Sequence, residues 1–476
     1  MTKSKIVATL GPKSSSDEMV ESLIKAGADV FRLNMSHGEM PEKKDLIRRI
    51  RALTGRLGIE PVGILGDLCG PKIRVGRLRG GTARLVEGEK ATLLAGEGEG
   101  DADAFYVSYY GIGKGIKKGA KVLIDDGMLE LKVINAVPGE VLCRVVKGGT
   151  LKERKGVNFP GMPLDVPAIT KKDAEDLAML LEEGVDYIAL SFVREPEDVL
   201  ALKKRIKKAG HATPVIAKIE RPEAIKRIKD IVKASDGVMV ARGDLGVEMA
   251  PELVPSLQKK IIALCNEHGK PVITATQMLE SMIWNPMPTR AEASDVAGAV
   301  DDGTDALMLS GETADGKYPL ASVVMMDRIA REAEAHINDR RYYDRRLEGG
   351  RFQSSLEAVA SSACRTADAL KAKAIICFTR TGATALLVSK YRPETLVIGA
   401  TPDEGTFRAM RLYYGVVPLM IKLHPDTDGM IREVERAALS RGLVKKGDQT
   451  VVTLGVPVSK KADTNLMMLH KIGGAV

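Results

Sequence analysis

A chain of 476 residues is too long for one ordinary hydrophobic core, so we expect two or three domains. Apolar residues make up 44% of the chain and aromatic residues only 4%, which is typical of parallel α/β proteins with aliphatic cores. The net charge of +8 is modest, because 71 basic residues face 63 acidic ones. No basic run is interleaved with aromatic residues, so we expect no nucleic acid partner.

The cysteine pattern and the lack of long apolar runs indicate the cellular compartment in which the protein works. The five cysteines are scattered without a CxxC pair, which argues against disulfides and a zinc site and for a reducing compartment. The N-terminal "MTKSKIVATLGPK" lacks the apolar core of a signal peptide, and no stretch approaches the roughly 18 apolar residues of a membrane span. These features predict a cytoplasmic protein that does not contact a membrane.

A recurring pattern of a helix end, a turn and an apolar run predicts eight buried parallel strands. It recurs in "LIKAGADVFRLNMS", "LLEEGVDYIALSF", "IVKASDGVMVARGD", "LCNEHGKPVITATQ" and "AVDDGTDALMLSG", and "KIVATLG", "PVGILGDL" and "TPVIAKIE" complete the set. Amphipathic helices separate the strands; the first is predicted to begin at a capping box of Ser15 and Glu18. Eight such units predict an α/β fold of the TIM (β/α)8 barrel type.

One step between strands is much longer than a βα unit and predicts an insertion. It runs roughly from Gly70 to Ala168, is rich in Gly and Val, and contains short β-like runs, so we expect a small β-barrel that overhangs the catalytic face as a lid. A polar stretch, "NDRRYYDRRLEGGRFQ", then precedes alternating helices and strands. The predicted domains are 1–69 with 169–340 (barrel), 70–168 (lid) and 341–476 (a C-terminal α/β domain).

Reactive residues of a TIM barrel lie at the C-terminal ends of its strands. In this chain those positions hold Arg32, Asn34, Ser36, Asp67, Ser191, Lys218, Glu220, Asp244, Thr276, Ser310 and Glu312. Glu220 and Asp244 form a plausible oxygen site for Mg²⁺, which prefers few protein ligands. Cations beside that metal, Arg32, Lys218 and Arg74, suit the charge stabilisation of phosphoryl transfer.

Other interpretations of these residues remain open. A single strand-end carboxylate is often a helix cap or a surface ion pair, and Thr276 alone would be a structural hydroxyl. Lys218 could instead form a Schiff base, as in aldolases on this fold. A lyase or aldolase, and a catalytically dead metabolite sensor, are therefore the alternatives to a phosphotransferase.

The order and spacing of several motifs resemble the pyruvate kinase family. These motifs are "KIVATLGP", "FRLNMSHG", "GPKIR", "AKIE", "VMVARGDLGVE", "TATQMLESM" and "PTRAEASDVAGAVDDGTDALMLSGETA". The resemblance covers essentially the whole chain, including the insertion and the C-terminal domain. It implies the last step of glycolysis, in which phosphoenolpyruvate and ADP give pyruvate and ATP, and it implies a homotetramer.

The resemblance also implies roles for individual residues. Arg32 and Lys218 would hold the transferring phosphoryl group, and Lys218 would also stabilise the enolate. Glu220 and Asp244 would bind Mg²⁺ or Mn²⁺, and the backbone at Gly243 would receive the substrate carboxylate. Thr276 would lie near the methylene carbon of the enolate, in a water-linked proton path. The implied nucleotide contacts are Asn34, Met35, Ser36, His37, Arg74 and Lys172.

Lys72 marks a variant of the family's K⁺ pocket. In many pyruvate kinases K⁺ is held by residues that match Asn34, Ser36 and Asp67 and by the backbone at the position of Leu68. Those members carry a glutamate where this chain has Lys72, and "GDLCGPKIRV" resembles the family's lysine version. Because a tethered ammonium can supply the same charge, we predict an enzyme that needs Mg²⁺ but not K⁺. The alternative is a Lys72 side chain that only points into solvent at a mobile hinge.

A loop of the C-terminal domain, "FTRTGATA", resembles the family's site for an effector phosphate. Its candidate contacts are Thr379, Thr381, Gly382 and Thr384, at the start of a helix. Where members regulated by a sugar bisphosphate typically carry an arginine, this chain has Ala383. The loop therefore predicts a site for another phosphorylated effector, and the alternative is a simple helix cap.

Overall fold

The computed structural model describes residues 2–58, 60–162, 166–336, 354–456 and 464–474. The chain begins with β1 (Lys5–Leu10), α1 (Asp17–Lys25), β2 (Val30–Asn34), α2 (Met40–Leu57) and β3 (Gly63–Asp67). The predicted capping box is wrong by one residue, because Ser16 is the N-cap and its hydroxyl accepts a hydrogen bond from the Met19 amide. Ser15 instead donates to the Gly11 carbonyl at 2.7 Å. Consecutive serines offer competing caps, and the sequence alone does not rank them.

The segment after β3 is an inserted β structure with its own core. Its strands are β4 (Arg77–Leu78), β5 (Thr82–Leu85), β6 (Lys90–Ala95), β7 (Glu99–Gly100), β8 (Ala104–Val107), β9 (Lys121–Ile124), β10 (Leu129–Val137), β11 (Glu140–Lys147), β12 (Gly149–Lys152) and β13 (Val157–Asn158). They form a six-stranded sheet, β13-β9-β10-β11-β6-β8, and two strand pairs, β12-β5 and β4-β7. Residues along β11 alternate between exposed and buried, as expected for a sheet with one covered face.

The two connections between this insertion and the rest of the chain are hydrogen-bonded to each other. The Val75 amide donates to the Lys155 carbonyl at 2.9 Å, and the Arg154 amide donates to the Val75 carbonyl at 3.0 Å. Below them, the Val157 amide donates to the Ile73 carbonyl at 2.9 Å. The chain therefore enters and leaves the insertion as one paired ribbon.

The strands after the insertion close a barrel. They are β14 (Tyr187–Leu190), β15 (Val215–Ile219), β16 (Gly237–Ala241), β17 (Val272–Ala275) and β18 (Ala306–Leu309). The helices between and after them are α3 (Lys171–Glu182), α4 (Pro196–Lys208), α5 (Pro222–Lys226), α6 (Ile228–Ala234), α7 (Arg242–Glu248), α8 (Val254–Glu267), α9 (Arg290–Asp301), α10 (Gly311–Ala314) and α11 (Pro319–His336). The closed order β1-β18-β17-β16-β15-β14-β3-β2 confirms the predicted TIM barrel.

Side-chain alternation along the strands separates an apolar floor from a polar mouth. Val7, Leu65 and Ile216 fill the barrel interior in one apolar cluster. Two residues further along the same strands stand Thr9, Asp67 and Lys218, all buried. Because residues two apart on a strand share a face, these polar groups point into the upper part of the same lumen.

The C-terminal domain is a five-stranded sheet with helices. Its elements are α12 (Ser355–Ala369), β19 (Ala374–Phe378), α13 (Ala383–Lys390), β20 (Leu396–Thr401), α14 (Glu404–Ala409), β21 (Val416–Met420), α15 (Thr427–Ser440), β22 (Gln449–Leu454) and β23 (Leu466–Lys471). The strand order is β21-β20-β19-β22-β23, and β23 pairs antiparallel with β22. The four parallel strands were predicted, whereas β23 was missed. The predicted polar linker and the boundary at 340 and 341 lie outside the described residues.

The C-terminal domain packs against the floor of the barrel. The Tyr187 hydroxyl donates to the Ala409 carbonyl at 2.6 Å, and Met410 and Tyr413 belong to the same apolar cluster as the barrel interior. The Lys390 ammonium contacts the Asp305 carboxylate, and both side chains are buried. Burial lowers the pKa of Lys390 to about 8, although Asp305 acts in the opposite direction.

Candidate active site

The strand ends bring two cations and two carboxylates into one buried cluster. The Arg32 Nε atom lies 2.7 Å from Asp67 Oδ2, and Lys218 Nζ lies 3.2 Å from Asp67 Oδ1. Lys218 Nζ also lies 2.9 Å from Glu220 Oε1 and donates to Ser191 Oγ at 2.6 Å. Asp67 is therefore a shared anchor that sets Arg32 and Lys218 side by side at the barrel mouth.

The charges of this cluster stabilise one another. Burial lowers the pKa of Lys218, but Asp67 and Glu220 outweigh it and leave that pKa above its ordinary value. Burial would raise the pKa of Asp67, but Lys218 and Arg32 outweigh it and leave the pKa lowered. Lys218 therefore stays protonated and Asp67 ionised at neutral pH. A permanently charged ammonium is a poor nucleophile, which disfavours the Schiff-base alternative.

Glu220 and Asp244 lie at the ends of neighbouring strands β15 and β16. Glu220 Oε2 accepts a hydrogen bond from the Phe192 amide at 2.6 Å, and burial raises the pKa of Glu220. Asp244 lies in the first turn of α7 and adds to the charges that raise the pKa of Lys218. Within the described residues, no group of three or more His, Cys, Asp or Glu side chains could hold a metal. A pair of carboxylates suits Mg²⁺ or Mn²⁺, which take few protein ligands and complete their shell with waters or phosphates, rather than a metal that needs an all-protein cage.

Thr276 and Gly243 meet at the next pair of strand ends. The Gly243 amide donates to Thr276 Oγ1 at 2.7 Å, and the Thr276 hydroxyl donates to the Ala275 carbonyl at 2.6 Å. The amide that the resemblance assigns to the substrate carboxylate is thus already directed at the Thr276 hydroxyl. A carboxylate that bound there would have to share this amide with Thr276 or replace it.

The end of β2 and the residues that follow it, 34–37, form a separate surface beside the cluster, which we call the ledge. Asn34 Oδ1 accepts from the Ser36 amide at 3.0 Å, and the Met35 amide donates to the Asp67 carbonyl at 2.9 Å. Lys172 Nζ donates to the Met35 carbonyl at 2.8 Å. The structure therefore brings five of the predicted residues of this region together: Asn34, Met35, Ser36, Asp67 and Lys172.

His37 and Arg74 lie where the ledge faces the insertion. Burial and the nearby charges of Arg74 and Lys72 lower the pKa of His37. Arg74 donates to the Arg154 carbonyl of the insertion at 3.0 Å. Arg74 is thus held by the insertion rather than by the Asp67 cluster.

Lys72 lies in the segment that leads from the barrel into the insertion, between Gly70 and the paired residue Ile73. A Cβ atom on Gly156 would lie 3.3 Å from Lys72 Cε, so the lysine stem packs along the glycine of the returning ribbon. Lys72 also lines a small cleft with Phe192 and Arg221. Within the described residues no hydrogen bond joins its ammonium to Asp67, and the Leu68 carbonyl accepts from Ser191 Oγ at 2.7 Å. The replacement of K⁺ by Lys72 therefore stays a prediction.

Two of the predicted strand-end residues, Ser310 and Glu312, hold the loops around the site in place. Glu312 is fully buried, and its carboxylate accepts from the Leu279 amide at 3.1 Å and from the Ser310 amide at 2.7 Å. Both hydrogen bonds hold the loops that follow β17 and β18. Glu312 therefore fits the structural interpretation of a strand-end carboxylate.

Sequence reasoning missed Thr9 and Arg242. Arg32 donates to Thr9 Oγ1 at 3.2 Å, and Arg242 donates to the Thr276 carbonyl at 2.6 Å. The inward alternation of β1, which carries Val7 and Thr9, could have identified the threonine. The role of Arg242 depends on the geometry of another loop, which no spacing reveals.

The loop of the C-terminal domain has the expected helix start. Gly382 has φ +83° before α13, and its amide donates to Thr379 Oγ1 at 2.9 Å. The Thr384 hydroxyl is hydrogen-bonded to the Thr464 hydroxyl at 2.6 Å, and Thr381 is exposed. Hydroxyls therefore gather at this helix start, but those of Thr379 and Thr384 already have partners.

The described part of the chain contains no helix with the length and apolar character needed to cross a membrane. All five cysteines are free thiols, as predicted.

Comparisons with known proteins identify the family. A family model described as the pyruvate kinase barrel domain matches residues 1–323, and one described as the pyruvate kinase alpha/beta domain matches residues 357–470. A pyruvate kinase of Staphylococcus saprophyticus is 46% identical over 99% of this chain and 81% of the relative. One of Staphylococcus aureus is 44% identical over 100% of this chain and 81% of the relative.

A solved structure supports the same conclusion. The crystal structure of a pyruvate kinase from Cryptosporidium parvum is 36% identical, covers 99% of this chain and 96% of that chain, and has a TM-score of 0.93. This chain therefore belongs to the pyruvate kinase family and is a phosphotransferase.

Proposed function

We propose that this chain transfers the phosphoryl group of phosphoenolpyruvate to ADP and releases pyruvate and ATP. The bond between phosphorus and the enol oxygen breaks, a bond to a terminal oxygen of ADP forms, and the enolate carbon takes up one proton. The observation that carries this proposal is the pairing of Arg32 and Lys218 through Asp67. Two fixed positive charges at a strand-end site are what a transferring phosphoryl group requires.

Arg32 and Lys218 have complementary tasks in this proposal. Arg32 binds the phosphoryl oxygens, because its guanidinium keeps further donors after its bonds to Asp67 and Thr9. Lys218 lies between the phosphoryl group and the enolate oxygen and stabilises the negative charge that develops on both. Since the partners of Lys218 hold its charge in place before substrate binds, little reorganisation is needed in the transition state.

Glu220 and Asp244 would hold a divalent cation, Mg²⁺ or Mn²⁺. A bound cation supplies Lewis-acid charge to the substrate oxygens. Thr276, with its hydroxyl beside Gly243, would place the water that donates the proton to the enolate carbon. The Gly243 backbone would receive the substrate carboxylate.

The nucleotide would lie on the ledge formed by Asn34, Met35, Ser36 and His37, with Lys172 and Arg74 near its phosphates. The insertion would close over it as a lid. We also propose the domain boundaries 1–69 with 169–340, 70–168 and 341–476, supported by the separate apolar core of the insertion. Lys72 would serve the pocket of Asn34, Ser36, Asp67 and Leu68 in place of K⁺.

Regulation, assembly and location extend the proposal. The loop of Thr379, Thr381, Gly382 and Thr384 would bind the phosphate of a phosphorylated effector. A homotetramer, tested by mass measurement in solution, would cover exposed apolar side chains such as Trp284 and Met287, which are 66% and 61% exposed. A cytoplasmic location agrees with the five free thiols.

A coupled assay tests the function directly. We expect pyruvate to form from phosphoenolpyruvate only when both ADP and Mg²⁺ or Mn²⁺ are present. Borohydride added with a carbonyl substrate should not label Lys218. Absence of ADP-dependent pyruvate would contradict the proposal, and labelling of Lys218 would favour an aldolase-type enzyme.

A further inference from the structure

The backbone around Thr276 is strained. Thr276 has φ +70° and the next residue, Gln277, has φ +54°. A β-branched residue rarely adopts the left-handed region, because its Cβ substituents crowd the following peptide. Such a conformation is energetically unfavourable and persists only when neighbouring groups hold it.

The Arg242 side chain holds this turn from the carbonyl side. Its guanidinium donates to the Thr276 carbonyl from two nitrogens, at 2.6 and 3.2 Å, and to the Ala275 carbonyl at 3.3 Å. The remaining nitrogen pairs with Asp295 at 2.7 Å. A planar group with several donors is needed to bond two successive carbonyls and a carboxylate at once, which a lysine cannot do.

The end of the same loop is fixed from the amide side by Glu312, through the Leu279 amide at 3.1 Å. The loop from Thr276 to Leu279 is thus held at both ends by charged side chains from the flanking strand ends. Of the two, only Arg242 contacts the strained residue itself. It also immediately precedes Gly243, whose amide meets the Thr276 hydroxyl.

We propose that Arg242 is a positioning residue for the proton transfer that completes the reaction. It keeps Thr276 in the left-handed conformation in which its hydroxyl accepts from Gly243, and so fixes the water-linked proton donor relative to the enolate carbon. This inference rests on the proposed function, because it assigns to Arg242 the placement of Thr276 in that reaction.

Two substitutions and a matched control separate positioning from general stability. Arg242→Lys keeps the charge but cannot bond both carbonyls, and Arg242→Ala removes the side chain. Arg51 is the control, because it also bonds two backbone carbonyls, of Val62 and Gly184, and an aspartate, Asp186, away from the site. Should Arg242→Ala fail to fold, Arg242→Lys carries the test.

The first readout is the exchange of the pyruvate methyl protons with D₂O in the presence of Mg²⁺ and ATP, followed by NMR. We expect both Arg242 variants to lose about 100-fold in this exchange, the scale of a misplaced catalytic group, while KM for phosphoenolpyruvate changes little. Thr276→Ala should show the same pattern, and adding Arg242→Lys to it should cause no further loss. Arg51→Ala should exchange at the wild-type rate.

The second readout, hydrogen exchange at the Gly243 amide measured by mass spectrometry, does not depend on activity. It should accelerate in the Arg242 variants and not in Arg51→Ala. Wild-type methyl exchange in the Arg242 variants, or losses that add to those of Thr276→Ala, would overturn the inference. A wild-type chain that forms no pyruvate would instead overturn the proposed function, and the Gly243 amide would still report whether Arg242 holds the turn.

Discussion

Two buried lysines at opposite ends of the barrel have pKa values shifted in opposite directions. At the mouth, Lys218 has two carboxylates in contact, Asp67 and Glu220; they outweigh burial and the nearby Arg32 guanidinium, and its pKa lies above the ordinary value. At the floor, Lys390 contacts Asp305 and lies near the guanidinium of Arg392, and its pKa is lowered to about 8. Burial opposes the charge in both places, so the difference lies in the neighbouring charges.

This difference distinguishes the Lys218 cluster, which we propose acts on the substrate, from the Lys390–Asp305 pair, which joins the C-terminal domain to the barrel. An ammonium with an excess of carboxylates around it keeps its charge while a substrate anion arrives and leaves. The charge of Lys390 is only just balanced, because it contacts one carboxylate and lies near a cation. That balance is sufficient to hold the C-terminal domain against the barrel. The surroundings of a buried lysine therefore indicate its role better than its burial does.

Removing the floor lysine should have the largest effect, and that effect should be on folding. Lys390→Met leaves the Asp305 carboxylate buried without its closest cation, which we expect to lower the free energy of unfolding by about 3 to 5 kcal/mol. Chemical denaturation measures this, and kcat per folded molecule should change little. The double variant Lys390→Met/Asp305→Asn should recover part of the loss. A stability equal to wild type would show that the pair is not a structural joint.

Removing the mouth lysine should affect the reaction instead. We expect Lys218→Met to raise the barrier to phosphoryl transfer by roughly 3 kcal/mol or more, because it removes a preorganised charge from the transition state. Stability should fall less than in Lys390→Met, since Asp67 keeps its bond to Arg32. Steady-state kinetics and calorimetric titration with phosphoenolpyruvate and Mg²⁺ measure the two effects. Near-normal turnover would contradict the role given to Lys218.

A third lysine, Lys72, extends the comparison, and we expect its substitution to have the smallest effect. If Lys72 adds positive charge to the mouth, Lys72→Glu should lose on the order of 1 to 2 kcal/mol, about 5- to 30-fold in activity, when no K⁺ is present. Added KCl should restore part of it. The assay uses a bulky organic cation as the only monovalent cation, at matched ionic strength. Strong activation of the wild type by K⁺ would refute the proposal.

The barrel was predictable because its strands are buried on both faces. Each reads as an apolar run after a helix end, and β14, with Tyr187–Leu190 all buried, shows why that signal is strong. Strand β23 was not predictable in the same way. It lies at the sheet edge, only one of its six residues is buried, and its sequence "LMMLHK" has neither alternation nor β-branched residues.

The site was predictable where strand alternation alone places a side chain. Arg32, Asp67 and Lys218 follow from the inward face of their strands, and the structure brings them together. Residues that act through loop geometry were not predictable. The hydrogen bond from Arg242 to the Thr276 carbonyl forms where Thr276 takes a left-handed conformation, and nothing in the sequence indicates that conformation.

The paired ribbon at the base of the insertion restricts the closure that we propose for the lid. Because Ile73 and Val75 are hydrogen-bonded to the returning segment, the two connections cannot separate or twist independently. In that proposed closure the chain would bend in the residues below the pairing, next to the glycine turn at Gly70, where a Cβ would lie 2.9 Å from the Phe192 ring. If the insertion closes as the lid that we propose, this pairing would make it turn as one body and bring the same edge over the barrel mouth each time.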